Sequence, residues 1–163
     1  MSKEIPDRFF NIVLIEPEIP NNTGNIGRTC VGTNSRLHLV GKLGFEISDR
    51  YLKRAGLDYW KDVDWVHHKT WDDWWALVKD PARVFYFSTK ARKSYFDVDF
   101  RYGDWFVFGK ETKGLDEDLL RKNDAQALTI PQFGPIRSLN VANAVSIVVY
   151  EAIRQLKPPQ GKL

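Results

Sequence analysis

Three stretches of the chain combine glycine, asparagine and charged residues more densely than ordinary turns require. They cover residues 18–28, 108–115 and 130–143. The first, EIPNNTGNIGR, places Arg28 about one turn into a predicted helix, where the positive end of the helix dipole disfavours a cation. A guanidinium there suits a phosphate or an oxyanion, and the alternative is a solvated arginine.

The second and third stretches follow predicted strands. Gly109 ends a strand, so a ligand can approach its backbone closely, and Glu111 lies between two lysines; an ordinary glycine turn is the alternative. Asn140 and Asn143 are three residues apart, which puts them on one face of a helix. Buried asparagines need hydrogen-bond partners, which a ligand, a facing loop or a purely structural network would supply.

Other residues that often carry chemistry have structural explanations here. The chain lacks a Gly-x-Gly-x-x-Gly fingerprint, a P-loop and a His-Glu-x-x-His motif. Cys30 has no partner thiol and is expected to be a small buried residue. His67 and His68 have no carboxylate or thiol at ligand spacing, so they are expected to be a polar pair at a strand end. Asp97 and Asp99 are expected on the solvated edge of an extended segment, and no metal site is predicted.

Apolar runs of strand length alternate with helical patterns along the chain. Strands are predicted at residues 9–15, 36–40, 63–67, 83–88, 105–108 and 127–130. Helices are predicted at residues 21–33, 49–56, from a cap at Thr70, from a cap at Asp116, and at 139–156. This alternation predicts an α/β protein with a mostly parallel sheet and helices on both faces. Ligands in such folds bind beyond the carboxyl ends of the strands, where all three polar stretches are expected.

Two helices have informative apolar patterns. Trp71, Trp74 and Trp75 recur at helical spacing and are expected in the core rather than on a base-stacking surface. The last helix is apolar around much of its circumference, so more than one side of it must be covered. A second subunit is a natural cover in a domain of this size.

Composition sets the broad class. The chain has 163 residues, a formal net charge of +3 and one cysteine. Its length predicts a single domain, and the lone cysteine predicts a reducing compartment without an internal disulfide. No stretch approaches the length of a transmembrane helix or a signal peptide, so we expect a cytoplasmic protein without a membrane partner. The mild basicity is compatible with a nucleic-acid partner but does not establish one.

Taken together, these stretches resemble the three motifs of the SPOUT superfamily of S-adenosylmethionine-dependent RNA methyltransferases, and most resemble its TrmL (YibK-like) tRNA ribose methyltransferases. The matching segments are PEIPNNTGNIGRTC (17–30), FGKETKGL (108–115) and IPQFGPIRSLNVANAVSIVVYEAIRQL (130–156). The segment KRAGLDY (53–59) also matches the TrmL type. The resemblance covers nearly the whole chain, so residues 1–163 are identified as one SPOUT domain with a short disordered tail at 157–163.

The resemblance implies a fold and a cofactor. The α/β sheet would carry a C-terminal trefoil knot, a topology that general folding rules do not predict. The knot loops would bind S-adenosylmethionine without a metal. By position in the motifs, the cofactor-binding residues would be Phe87, Gly109, Ile130, Ser138, Leu139 and Asn143. The protein would be a homodimer in which the motif-three helices pack together.

The implied reaction transfers a methyl group to the ribose 2′-hydroxyl of the wobble nucleotide of tRNA, a cytidine or a modified uridine. Arg28 matches the family arginine assigned to activating that hydroxyl, and Asn25 and Glu111 would orient it. A guanidinium is a poor base, so we expect Arg28 mainly to stabilise developing negative charge or to hold a phosphate.

Two basic clusters would bind RNA. They are Arg50, Lys53 and Arg54, and Lys90, Arg92 and Lys93. Either cluster is equally well explained as a solvated charged face. Two other functions remain open: a SPOUT methyltransferase acting on another RNA such as ribosomal RNA, and an RNA-binding homologue without catalysis.

Overall fold

The computed structural model describes residues 4–48 and 58–160 and is built around one parallel sheet. Within these residues the strand order is β3-β2-β1-β6-β4-β7-β5. The strands are β1 (Asn11–Ile15), β2 (Arg36–Val40), β3 (Trp65–His68), β4 (Val84–Phe87), β5 (Lys93–Ser94), β6 (Trp105–Phe108) and β7 (Ala127–Thr129). The α-helices are α1 (Pro20–Gly32), α2 (Trp71–Trp75), α3 (Glu117–Lys122) and α4 (Val141–Leu156).

Helices cover both faces of the sheet, as the alternation predicted. On one face, Ile12 packs in a core with Ile26 of α1 and Val148 of α4. On the other, Val13 packs with Trp74 of α2 and Leu120 of α3. Neighbouring residues of β1 point to opposite faces because side chains alternate along a strand. Apolar side chains on both faces explain why the strands read as continuous apolar runs.

Side-chain caps fix where three of the helices begin. Thr70 and Asp73 form a reciprocal capping box at α2, with the Thr70 Oγ1 accepting from the Asp73 N–H at 3.2 Å. Asp116 accepts from two backbone N–H groups of α3, and Asn140 does the same for α4. Helix α1 has proline in its first turn but no side-chain cap of its own.

The elements differ from the sequence prediction in a few places. β5 was not predicted, because a two-residue strand carries no detectable alternation. β1 begins at Asn11 rather than at residue 9, and β3 runs from Trp65 to His68 rather than from 63 to 67. Asp97 ends a 3₁₀ helix (Tyr95–Asp97), so the expectation of an extended segment there was wrong, although both Asp97 and Asp99 are exposed.

Part of the sequence prediction lies outside the described residues. It comprises the helix at 49–56, the first basic cluster (Arg50, Lys53 and Arg54) and the end of the tail at 161–163. Helix α4 ends at Leu156, and the residue that caps it, Lys157, adopts a left-handed conformation with φ 50°. In the described parts of the chain, no helix has the length and apolarity needed to cross a membrane.

One side of α4 faces the core and another faces solvent. Val145, Val148, Val149 and Ala152 are fully buried against the sheet and α1. Tyr150 is 56% exposed, and Ile147 is 37% exposed. The apolar circumference noted in the sequence is therefore only partly covered within one chain.

Candidate active site

A cavity with a volume of about 630 Å³ lies at the carboxyl ends of β4, β6 and β7. This volume is typical of small-molecule sites. Five of the six residues assigned to the cofactor line it: Phe87, Gly109, Ile130, Ser138 and Leu139. Phe87 is stacked on Phe108 with ring centroids 5.1 Å apart, which gives the cavity a rigid apolar wall. Asn143, the sixth, lines a different cleft.

Gly109 is required by the chain's own backbone. A Cβ atom at this position would collide with the backbone of Gly114 and Leu115, because the loop after β6 folds back tightly on itself. Gly114, where the loop turns back, has a φ of +67°, which favours glycine. At Gly109, the backbone of Gly114 and Leu115 therefore makes the close approach that the sequence predicted for a ligand. Gly109 also lines the cavity.

Glu111 caps helix α1 from a distant loop. Its carboxylate accepts hydrogen bonds from the N–H groups of Glu18 at 2.9 Å and Ile19 at 3.1 Å. Reciprocally, the Glu18 carboxylate accepts from the backbone N–H and the hydroxyl of Thr112, at 3.1 and 3.0 Å. A carboxylate at a helix N-terminus is favoured by the helix dipole, and this one also satisfies the two backbone donors just before α1. Glutamate side chains thus join the first and second polar stretches in both directions.

A buried asparagine extends this connection to the third stretch. The Asn22 amide donates to Glu111 at 3.4 Å, and the Asn140 amide donates to the Asn22 oxygen at 3.0 Å. The Asn140 oxygen accepts from the N–H groups of Ala142 and Asn143 at the start of α4. A single hydrogen-bonded chain, Glu111–Asn22–Asn140, therefore fixes all three stretches relative to one another.

Arg28 lies in a second cleft rather than in the cavity. This cleft is also lined by Asn25, Asn143 and Tyr150, and both Arg28 and Asn25 are exposed. The Arg28 guanidinium lies over the Tyr59 ring, 5.4 Å from its centroid. The Tyr59 hydroxyl donates to the Gly24 carbonyl at 2.7 Å, so the ring is fixed to α1. Burial raises the pKa of Tyr59, and the positive charge of Arg28 offsets part of that increase.

The first turn of α4 separates the two sites. Val141 and Ala144 line the cavity, whereas Ala142 and Asn143 line the second cleft. Arg28 and the cavity therefore lie on different sides of the first turn of α4. Asn143 is exposed, so the expectation that it needs partners inside a buried helix was wrong. Glu111 contacts the start of α1, and its hydrogen bonds within the described residues do not reach Arg28.

Basic side chains surround the cavity mouth. Lys90, Lys113 and Arg137 line the cavity, and Lys90 donates to Glu117 at 2.6 Å. Arg92 and Lys93 of the same predicted cluster are exposed on and beside β5.

The residues given structural explanations make contacts within the fold. Cys30 is buried, and burial raises the pKa of its thiol. His68 Nε2 is 3.0 Å from His38 Nδ1, and His67 Nε2 is 2.8 Å from the Gly41 carbonyl oxygen. Within residues 4–48 and 58–160, no three His, Cys, Asp or Glu side chains group closely enough to hold a metal ion.

Sequence analysis missed several residues that shape this site. Asn22 was attributed to turn and cap chemistry, and Glu18 and Lys110 were given no role. The Lys110 ammonium donates to Glu16 at 2.9 Å, and this hydrogen bond raises the pKa of Lys110. The sequence did contain one signal for these contacts: the first stretch is preceded or begun by carboxylates, and the second carries hydroxyl and ammonium groups that can bind them. Spacing along the chain does not reveal which loops meet.

Comparisons with known proteins agree with this geometry. The family model described as "SpoU rRNA Methylase family" matches residues 10–150. A tRNA (cytidine(34)-2′-O)-methyltransferase from Saccharophagus degradans is 49% identical over 152 residues, which cover 90% of this chain and 96% of the relative.

Two solved structures extend the comparison. One, described as giving insights into the 2-OH methylation of C/U34 on tRNA, has a TM-score of 0.85 and 43% identity and covers 95% of this chain and 94% of its own. The other, the SpoU methyltransferase AviRb from Streptomyces viridochromogenes in complex with AdoMet, has a TM-score of 0.79 and 23% identity. It covers 96% of this chain and 61% of its own, and shares the fold. The fold, the convergence of the three stretches and these matches lead to one conclusion: the chain belongs to the SpoU rRNA Methylase family.

Proposed function

We propose that this protein is a TrmL-type enzyme that uses S-adenosylmethionine to methylate the ribose 2′-hydroxyl of the wobble nucleotide, cytidine or modified uridine, in tRNA anticodons. The observation that carries the proposal is the Glu111–Asn22–Asn140 chain, which holds the three motif segments together beside a cavity of about 630 Å³. The name of the relative from Saccharophagus degradans supports the substrate class.

The cavity suits the cofactor by size and by chemistry. Its apolar walls, including Phe87, Ile130 and Leu139, fit a flat heterocycle, and the loop backbone at Gly109 offers polar groups. Lys113 lies at the same cavity and suits a carboxylate. When bound, S-adenosylmethionine supplies an activated methyl group, so the reaction needs no metal.

Arg28 is the residue we assign to the reacting hydroxyl. Its guanidinium stays charged at any ordinary pH, so it stabilises negative charge developing on the ribose oxygen or binds the neighbouring phosphate. Asn25 shares the cleft and orients the same group. Glu111 acts at a distance, because capping α1 fixes the helix that carries Arg28.

A homodimer would bring the two sites together. Arg28 and the cavity open on different sides of α4 within one chain, so we propose that the α4 helices of two copies pack together and complete each site at the interface. The exposed apolar residues Ile147 and Tyr150 on α4, and Val31 on α1, support this arrangement. Burial of such residues is the main driving force of subunit association.

The remaining expectations belong to the same proposal. The insertion of β6 between β1 and β4, and of β7 between β4 and β5, is compatible with a C-terminal trefoil knot in a single domain. Lys90, Arg92 and Lys93 would track RNA phosphates, with an affinity that falls as salt rises. We expect the protein to act in the cytoplasm, where it would meet its tRNA substrate.

The test is binding followed by transfer. Calorimetry of the purified protein with S-adenosylmethionine should show one site per chain, and labelled methyl groups should appear in bulk tRNA. Mapping of 2′-O-methylation in cells with and without the gene should locate the change at the wobble position. Transfer to ribosomal RNA alone would indicate the alternative substrate, and cofactor binding without transfer to any RNA would indicate a non-catalytic homologue.

A further inference from the structure

One aromatic side chain beside the cavity has no partner in the fold. Phe133 is 93% exposed, in the loop between β7 and α4. The residue before it, Gln132, lines the cavity, and so do Arg137 and Ser138 after it. The ring therefore projects from a loop whose two ends form the cavity wall.

The loop presents this ring in a restricted conformation. Pro131 and Pro135 flank Phe133 and limit the backbone freedom of the segment. The Ile136 N–H donates to the Gly134 carbonyl at 2.9 Å, which closes a tight turn beside the ring. A constrained loop loses less entropy on binding, so an exposed ring on such a loop is well prepared for a contact.

The charge around the loop indicates which partner fits. Arg137 lines the cavity and forms no ion pair within the described residues, so its cationic group is available at the cavity mouth. The carboxylate that also lines it, Glu111, is occupied by the N–H groups of Glu18 and Ile19, just before α1. Exposed aromatic rings interleaved with cations are the pattern by which proteins bind single-stranded nucleic acid, through base stacking and phosphate contacts. Within this loop, the exposed large apolar side chains are Phe133 and Ile136, an area small enough to favour a nucleobase over a protein surface.

We propose that Phe133 stacks on a nucleobase of the RNA loop that carries the methylated nucleotide, while Arg137 binds an adjoining phosphate. This inference rests on the proposed function and adds to it the residue that receives the RNA. Stacking on a phenyl ring tolerates any base, so Phe133 contributes affinity and position rather than sequence choice. Recognition of unstacked bases in loops is the usual route to specific RNA binding.

The experiment compares Phe133→Ala and Phe133→Trp in the full chain, with an anticodon stem–loop RNA as the probe. Binding is measured by fluorescence anisotropy, and methyl transfer gives KM for tRNA and kcat. Leu77→Ala is the matched control, because Leu77 is 49% exposed but lies in a cleft at the amino edge of the sheet. Calorimetry with S-adenosylmethionine shows whether the cavity is intact in each variant.

We expect Phe133→Ala to bind the stem–loop roughly 5- to 100-fold more weakly, with KM for tRNA raised in proportion. Phe133→Trp should bind like the wild type, and all variants should bind the cofactor equally. Arg137→Gln should reduce the salt dependence of RNA affinity by about one phosphate contact.

Three results would overturn the inference: wild-type RNA affinity in Phe133→Ala, an equal loss in Phe133→Trp and Phe133→Ala, or a loss of cofactor affinity instead of RNA affinity. The first would also be the result if the ring served a protein partner. RNA binding is measured without turnover. A wild-type protein that binds the stem–loop through Phe133 but transfers no methyl group would therefore refute the proposed function and leave this inference standing.

Discussion

The protein contains two sets of hydrogen-bonded polar side chains, and their surroundings differ. The outer chain, Glu111–Asn22–Asn140, links three loops beside the cavity at the carboxyl edge of the sheet. The inner chain, His68–His38–Asn11, links three neighbouring strands within the sheet. The His38 ring is 1% exposed and lies 4.9 Å, centroid to centroid, from the Trp105 ring.

The difference lies in charge. The outer chain contains a carboxylate that faces N–H donors and the positive end of α1, so the charge is stabilised where it lies. The inner chain consists of neutral groups, because an uncompensated charge at the buried His38 ring, beside Trp105, would be costly. Hydrogen bonds alone therefore do not mark a functional site; access to a cavity and a stabilised charge do.

Hydrogen-bond direction explains why the inner chain must stay neutral. The Asn11 amide donates to the Gly103 carbonyl at 3.3 Å, so its oxygen accepts from His38 Nε2 at 3.1 Å. His38 Nδ1 then accepts from His68 Nε2. A second proton on His38 would face the N–H of His68, and burial, with help from the neighbouring His68 and Arg36 charges, lowers the pKa of His38 to about 3.

The largest effect is expected from Arg28→Lys. Lysine keeps the charge but loses the planar two-point contact, so turnover should fall roughly 100- to 1000-fold, as when a group that stabilises a developing oxyanion is lost. Affinity for S-adenosylmethionine should stay unchanged, because Arg28 lies outside the cavity. Methyl transfer and calorimetry measured on the same preparation check this. Normal turnover would remove Arg28 from the mechanism.

Glu111→Gln tests the outer chain. An amide cannot accept equally well from the N–H groups of Glu18 and Ile19, because its NH₂ would face one of these donors. We therefore expect a loss of about 1–3 kcal/mol in the free energy of unfolding. Turnover should fall further than cofactor affinity, because α1 carries Arg28. Thr112→Val is the control: it removes only the hydroxyl bond to Glu18. Equal effects of the two changes would contradict a special role for the carboxylate.

Acidification tests the inner chain. The folded pKa of His38 is depressed below its unfolded value of 6.5, so its stabilising effect is complete above pH 6.5 and is lost as pH falls towards about 3. The slope is about 1.4 kcal/mol per pH unit, which gives a loss of about 2 kcal/mol between pH 6.5 and 5. Urea unfolding at both pH values measures this. His38→Gln should show a smaller loss, whereas the exposed control His67→Gln should behave like the wild type.

The smallest effect is expected from Glu117→Gln. This change frees Lys90 from its exposed ion pair, and such pairs add little to stability. The melting temperature should not change, while RNA affinity should rise slightly at low salt. Asp118→Asn, which removes the neighbouring exposed pair with Arg121, is the control for a general change in charge. An equal gain in both variants would mean that Lys90 itself has no contact with RNA.

The sequence predicted elements best where local signals mark their ends. β2 and β6 have the predicted bounds, and α2 and α3 begin after the predicted caps at Thr70 and Asp116. The two-residue strand β5 escaped detection because it exists only through its pairing with β7. Tertiary pairing leaves no periodicity in so short a segment.

The site was predictable in its parts but not in its arrangement. Gly, Asn and charge indicated which segments matter, and the position of strand ends indicated the edge of the sheet. The capping of α1 by Glu111 joins residues more than ninety positions apart, and no local rule predicts it. Nor does a local rule predict that α4 separates Arg28, in the first stretch, from the cavity lined by the second and third stretches.

The strand order has a consequence for synthesis on the ribosome. β1 pairs with β2 on one side and with β6 on the other. The second edge of β1 therefore stays uncovered until β6, which begins at Trp105, has been synthesised. β7, translated later still, separates β4 from β5. Pairings between such remote segments form slowly and leave open strand edges for longer. The nascent chain therefore exposes the edges of its central strands until β6 and β7 have emerged. The cavity also needs the start of α4, so it is among the last features to form.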